Sequence, residues 1–221
     1  MSMAAQKSRP KTRSYAGVSG EERRAERRVR LIEAAVRVYG EVGYRSATVK
    51  AVCAAAELTE RYFYESFANS EALLIAAYHQ VTDTLHREMT AAAETIASDG
   101  SDRRIQAVLT LYFSRLQENP RPARVFLLEM HGISPAVDAV QMEAMKRMSG
   151  ILLPRAVTPA TATPMSLAEI GTMGAVITIA RRWVAQDYQQ SVDDVIAIAA
   201  QFCRVAAIDV APSRPAHKVR R

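Results

Sequence analysis

Residues 46–67, Ser-Ala-Thr-Val-Lys-Ala-Val-Cys-Ala-Ala-Ala-Glu-Leu-Thr-Glu-Arg-Tyr-Phe-Tyr-Glu-Ser-Phe, constrain the fold more than any other stretch of this chain. Val49, Val52, Cys53 and Ala56 recur at the spacing of one helix face, and Phe63 and Phe67 stand one turn apart. Two short helices therefore share one apolar seam, with Leu58 plugging the turn between them. With both phenylalanines inward, Arg61 and Glu65 turn outward, Tyr62 and Tyr64 take the flanks, and Thr59 is the expected N-cap of the second helix. A short helix pair that presents a basic, aromatic and hydroxyl-bearing face has the geometry of a helix-turn-helix, whose second helix enters the major groove of DNA.

The flanking sequence completes such a module. From Glu22 to Val42, the residues Leu31, Ala35, Val38 and Val42 keep one helical face with Ile32 and Tyr39 beside it, and Gly43 closes the helix as a C-terminal glycine. Arg23, Arg24, Arg27, Arg28 and Arg30 crowd its first half, where they can meet phosphates or pair with Glu21, Glu22 and Glu26. Residues 1–22 mix Lys, Arg, Ser, Pro and Gly without apolar periodicity and read as a disordered basic arm. Through Lys7, Arg9, Lys11 and Arg13 it is either a DNA contact or a solubilising tail. Asn69 or Ser70 opens a long helix to about Ala97, with Leu73, Leu74, Ala77, Val81, Leu85 and Met89 as its buried stripe. Breakers at Asp99-Gly100, Asn119-Pro120, Gly132 to Pro135 and Pro154 to Pro164 divide the remainder into helices at about 102–118, 121–131, 135–152, 165–187 and 191–209. No alternating segment suggests a strand. The expected fold is all-α: an N-terminal three-helix helix-turn-helix domain at 23–68, a larger helical domain at 69–211 and a basic tail at 212–221.

Charge follows the same division. The formal net charge is +6, yet residues 1–66 carry thirteen Lys and Arg against eight Asp and Glu, residues 67–211 twelve against fifteen, and residues 212–221 four against none. A basic head on a mildly acidic body suits phosphate neutralisation, the main source of non-specific DNA affinity. The 221 residues are 49% apolar, enough for a sizeable core. They include neither a run of membrane-spanning length nor the apolar segment of a secretory signal, so a cytoplasmic protein without membrane contact is expected. Cys53 and Cys203 fall in apolar helical stretches as small core residues. There is no glycine-rich phosphate loop, no Gly-x-Ser-x-Gly elbow, no His-Glu-x-x-His and no Cys-x-x-Cys, so no catalytic residue, metal ligand or cofactor is assigned. His79 and His86, two turns apart on one helix, fit metal ligation only loosely.

Gly43-Tyr44, Thr48-Val49, Thr59, Tyr64, Phe67 and the Glu71-Ala-Leu-Leu opening of the next helix together resemble the N-terminal signature of the TetR family of bacterial transcriptional regulators, over about residues 25–75. Three positions depart from that pattern: Ala47 where Thr or Ser is frequent, Glu57 where the turn usually has Gly, and Ser70 where a phosphate-contacting Lys commonly stands. A Glu at positive φ costs about 1 kcal/mol relative to Gly, which a packed domain absorbs. The resemblance implies a DNA-binding regulator, a repressor that holds a palindromic double-stranded operator as a dimer and is released by a small-molecule effector. The DNA-binding set is Thr48, Lys50, Thr59, Glu60, Arg61, Tyr62, Tyr64, Glu65, Ser66 and Ser70, with Tyr64 matching the family's phosphate-binding tyrosine.

The same resemblance implies an effector cavity among the middle helices, below the long connector. Large adaptable side chains there make Tyr112, Phe126, Glu129, Met130, His131, Met173 and Trp183 the candidate ligand-binding set, with Glu129 and His131 as the polar groups to inspect first. In the family the last two helices, here residues 165–209, pair with their symmetry mates in a four-helix interface. Gly171, Gly174 and Ala175 among Ile170, Val176 and Ile177 suit close helix approach, and Ala175 and Ala199 are candidate seam positions. The rival reading is a helical interaction protein with a degenerate DNA-binding head, motivated by Glu57 and Ser70.

Overall fold

The computed structural model describes residues 19–96, 101–153 and 165–209, which form nine α-helices and no strand. The basic arm up to residue 18 and the tail from residue 212 lie outside the described residues. The first helix, α1 (Gly20–Val42), begins two residues before the expected Glu22 because Ser19 caps it. The Ser19 hydroxyl accepts the Glu22 amide at 3.0 Å, and the Glu22 carboxylate accepts the Ser19 amide at 2.6 Å, a complete capping box. Gly43 ends the helix at φ 84, a conformation that costs glycine nothing. Leu31, Ala34, Ala35 and Tyr39 form the buried stripe. Val42 does not join it and is 54% exposed, because the packed seam stops two residues earlier, at Gly40. There the helix over Pro120–Leu127 crosses so closely that a Cβ on residue 40 would lie 2.5 Å from the Arg121 carbonyl oxygen.

Helices α2 (Val49–Ala55) and α3 (Glu60–Ser66) are the expected short pair. Val52, Cys53, Ala56, Phe63 and Phe67 are all buried, and Glu57 does hold positive φ, at 54°. The Leu58 amide closes the turn onto the Cys53 carbonyl at 2.9 Å. The connector α4 (Ser70–Glu94) is capped by Asn69, whose side chain accepts the Ala72 amide at 2.8 Å. It buries Leu73, Leu74, Ala77, Tyr78, Leu85 and Met89 and leaves Val81 only half buried. It packs against α1 on the head side and against α5 (Ser101–Glu118), α6 (Pro120–Leu127) and α7 (Pro135–Leu152) in the body.

Helix α6 stops four residues short of the expected 131. The Leu128 and Glu129 amides both fold back onto the Arg124 carbonyl, at 2.8 and 3.2 Å, and the chain turns through Gly132 at φ 65 before Ser134 caps α7. The last pair, α8 (Leu167–Ala185) and α9 (Val192–Asp209), closes the body, with Trp183 wedged edge-on between Phe113 and Tyr188. Cys53 and Cys203 are both free and buried. No helix among the described residues is long and apolar enough to cross a membrane.

Candidate nucleic-acid interface and effector cavity

The reading face is set from its buried side. Phe63 and Phe67 lie 6.0 Å apart inside the module, which leaves the Arg61 side chain 83% exposed and Tyr64 63% exposed on the other side of α3. Tyr64 meets the edge of Phe63 at 5.1 Å, so the core fixes the direction of its ring. Thr48, Lys50, Thr59 and Glu60 are exposed on the same pair of helices. Thr48 caps α2 by accepting the Ala51 amide at 3.1 Å and keeps its own proton to donate. Thr59 occupies the N-cap position of α3, but its side chain makes no cap bond, so its hydroxyl is not committed to the helix.

Other members of the candidate set are turned to internal work. The Glu65 carboxylate, expected outward, accepts from Arg61 at 3.0 Å and lies 3.8 Å from Arg27. Tyr62 is half buried with the Arg27 guanidinium over its ring at 4.3 Å. Ser66 donates to the Tyr62 carbonyl at 2.9 Å, and Ser70 is half buried at the first position of α4. The α1 arginines explain this arrangement. Arg24 donates to the Glu65 carbonyl, Arg28 stacks on Phe67 at 4.3 Å, and Arg30 donates to the Ala56 carbonyl at 2.6 Å. They therefore hold α3 and the turn rather than pairing with Glu21, Glu22 and Glu26. Arg24, Arg27, Arg28 and Leu31 follow the i, i+3, i+4, i+7 spacing of one face, the sequence signal that would have assigned them to the scaffold.

The head is joined to the body through the turn after α6. The Glu129 carboxylate accepts the Tyr44 amide at 2.7 Å, Arg45 donates to the Gly132 carbonyl at 3.0 Å, and Ser134 donates to Glu71 at 2.9 Å. On its other side the same segment lines a cavity of about 300 Å3 between α4, α6, α7 and α8. The walls are Tyr78, Phe126, Leu127, Met142, Met145 and Met148, and the polar groups are His131, Asp138 and Gln141. Arg181 donates to His131 Nε2 at 2.7 Å, which requires a neutral imidazole carrying its proton on Nδ1. Burial, and next the Arg181 charge, hold the His131 pKa below the ordinary imidazole value, with Asp138 opposing.

Of the candidate ligand-binding residues, Phe126 and His131 line this cavity. Met130 and Met173 are closed into the core, and Trp183 spends its indole N–H on the Gln190 carbonyl at 2.9 Å. Tyr112 lies behind the wall, edge-on to Phe126 at 6.3 Å, with a buried hydroxyl that has no partner among the described residues. Glu129 belongs to the head–body joint. A second cavity of about 310 Å3 opens between α1, α4, α5 and α6. No group of three or more His, Cys, Asp or Glu side chains is placed to hold a metal ion among the described residues.

Residues 31–77 match the model for bacterial regulatory proteins of the tetR family. No curated protein is significantly similar to the chain in sequence. The fold is shared with the fatty acid degradation regulator FadR from Bacillus halodurans, at TM-score 0.65 and 17% identity over 80% of this chain and 94% of that one. It is shared equally with FadR from Bacillus subtilis in complex with stearoyl-CoA, at TM-score 0.61 and 20% identity over 81% and 97%. A TetR family transcription regulator from Marinobacter aquaeolei VT8 aligns at TM-score 0.60 and 19% identity over 84% and 97%. Residues 31–77 therefore carry the N-terminal signature of the tetR family of bacterial regulatory proteins, and the helices around them share the fold of these regulators.

Proposed function

We propose that this regulator is a repressor that binds a palindromic operator as a homodimer through α2 and α3, and that a small molecule in the cavity between α4, α6, α7 and α8 releases it. The observation that carries the DNA half is the exposed face of Arg61, Tyr64, Lys50, Thr48 and Thr59, held by an α1 whose arginines are anchored to α3. Arg61 reads a base edge, because a guanidinium matches the two acceptors of guanine. Its partner Glu65 keeps Arg27 when Arg61 leaves for DNA. Tyr64 and the threonine hydroxyls take phosphates.

The release half rests on the turn after α6, which lines the cavity with His131 and grips the head at Tyr44 through Glu129. A ligand that shifts this turn changes the angle of the head, and it lowers operator affinity by its differential affinity for the two arrangements, about 1–3 kcal/mol in typical allosteric systems. The cavity lies at the small end of ligand sites, which span roughly 300–1,000 Å3. It favours a compact apolar ligand over a long-chain acyl thioester of the kind bound to Bacillus subtilis FadR. Dimerisation is supported by an unpaired apolar surface on α8 and α9: Leu167, Ile170, Ile198 and Phe202 are exposed, and nothing lies within 4 Å of a Cβ built on Gly171 or Gly174.

Selection of genomic fragments with the purified protein at several salt concentrations tests the proposal. Two inverted half-sites are expected, with affinity falling steeply as salt rises. Fragments enriched without any shared motif would leave only the rival reading, a helical protein whose head has lost DNA specificity.

A further inference from the structure

The second cavity lies against the head and is separate from the proposed effector site. Its floor is apolar, built by Val36, Val81, Leu85, Leu116, Ala123 and Phe126. Gln80, Thr84 and Glu88 add a polar edge from α4, on the same helix face as Val81 and Leu85, so the connector supplies a whole wall. Val36 brings in the first helix of the head, and an occupant would touch the DNA-binding module and the body at once. Phe126 forms part of both cavities.

The rim determines which charge is accepted. Arg115 donates from Nε to Glu88 at 2.8 Å and from a terminal nitrogen to Glu118 at 2.7 Å, so one cation is shared by two carboxylates. An incoming ammonium can take Glu88 while Arg115 keeps Glu118, which exchanges one charge-assisted hydrogen bond for another. An incoming carboxylate adds a third negative charge to a group that holds one cation. Asn119, also on the rim, uses its amide N–H on the Arg115 carbonyl at 3.2 Å and retains its side-chain oxygen as an acceptor. With two carboxylates and one guanidinium, the Glu88–Arg115–Glu118 group carries a net negative charge, which favours a cation over an anion at this rim.

We propose that the cavity between α1, α4, α5 and α6 is a second small-molecule site, which binds a compact amphiphilic cation with its ammonium on Glu88 and its apolar body over Leu85, Leu116 and Phe126. Calorimetric titration of the full chain at neutral pH with 4-phenylbutylamine, 4-phenylbutanol and 4-phenylbutyrate tests it without any need for DNA. The amine is expected to bind at least about tenfold more tightly than either analogue, the size of a charge-assisted hydrogen bond at a partly exposed site. Glu88→Gln, at a half-exposed position, should erase that preference, and Thr84→Trp should abolish binding by filling the site. Met142→Trp narrows the other cavity from an exposed position and should leave amine binding unchanged. Equal affinity for the carboxylate, an unchanged amine affinity in Glu88→Gln, loss of binding in Met142→Trp, or no binding of the amine up to millimolar concentration would each overturn the proposal.

Discussion

Arg61, Tyr64, Glu57 and His131 each bear a consequence that can be measured one side chain at a time. Arg61→Ala should cost about 1–3 kcal/mol at a single position of the operator and relax preference there. A loss that is uniform across sequences, with a shallower salt dependence, would make Arg61 a phosphate contact instead. Tyr64→Phe should weaken all operators alike by roughly 1 kcal/mol, as expected for one hydrogen bond to a charged oxygen. Binding isotherms on matched and mutated operators separate the two residues. Glu57 pays for its positive φ with little return, since its carboxylate is 88% exposed and lies 3.5 Å from Arg30. Glu57→Gly should therefore raise stability by up to about 1 kcal/mol in urea denaturation. For His131 the folded pKa lies below the ordinary value of 6.5, so the folded state holds fewer protons than the unfolded chain. Its contribution to stability is complete above 6.5 and is lost as pH falls through the depressed folded value. His131→Gln should flatten that part of the stability profile.

At the scale of elements, the joint between head and body depends on two close contacts that no periodicity encodes. Gly40 passes α6 where a methyl group would strike the Arg121 backbone, and Gly40→Ala should destabilise the protein by about 1–3 kcal/mol, because backbone rather than a flexible side chain must give way. The Glu129 carboxylate holds the Tyr44 amide across 85 positions of sequence. Hydrogen exchange at Tyr44 reads this bond directly. Glu129→Gln should speed exchange there by about tenfold, the loss of charge assistance, while the core of α4 keeps its protection. The turn carrying Glu129 looks like the end of a helix in sequence, because Leu128, Glu129 and Met130 all favour helix. It is a turn in the structure because Gly132 and the Ser134 cap redirect the chain before α7 can start.

For the whole molecule, the two-headed mechanism requires a partner on α8 and α9. Ile198 and Phe202 are 49% and 47% exposed one turn apart on α9, so a carboxylate at either should split the dimer without unfolding the protomer. Phe202→Glu is expected to sediment as a folded monomer and to retain only weak, salt-sensitive DNA binding. A wild-type monomer at micromolar concentration with full operator affinity would remove the interface from the mechanism. Ala199, a seam candidate from sequence, is fully buried inside its own chain, and Ala199→Glu should unfold the protein rather than dissociate it.

Periodicity and breakers determined the all-α fold, the order of its helices and the inward turn of Phe63 and Phe67, because those features depend on spacing along one chain and on local backbone preference. The exposed positions of Arg61 and Tyr64 were legible for the same reason, and the turn at Glu57 through its resemblance to the family pattern. Tertiary structure alone decided that Glu65 turns to Arg27, that Glu129 belongs to the joint, and that Trp183 and Met173 fill the core while Tyr78 and Gln141 line a cavity. A helix carries several residues able to line a cavity or to fill a core, and which of them meets empty space depends on the angle and depth at which neighbouring helices cross. Those crossings are set by side chains far apart in sequence, such as Gly40 and Arg121, and no single segment contains both halves of the contact.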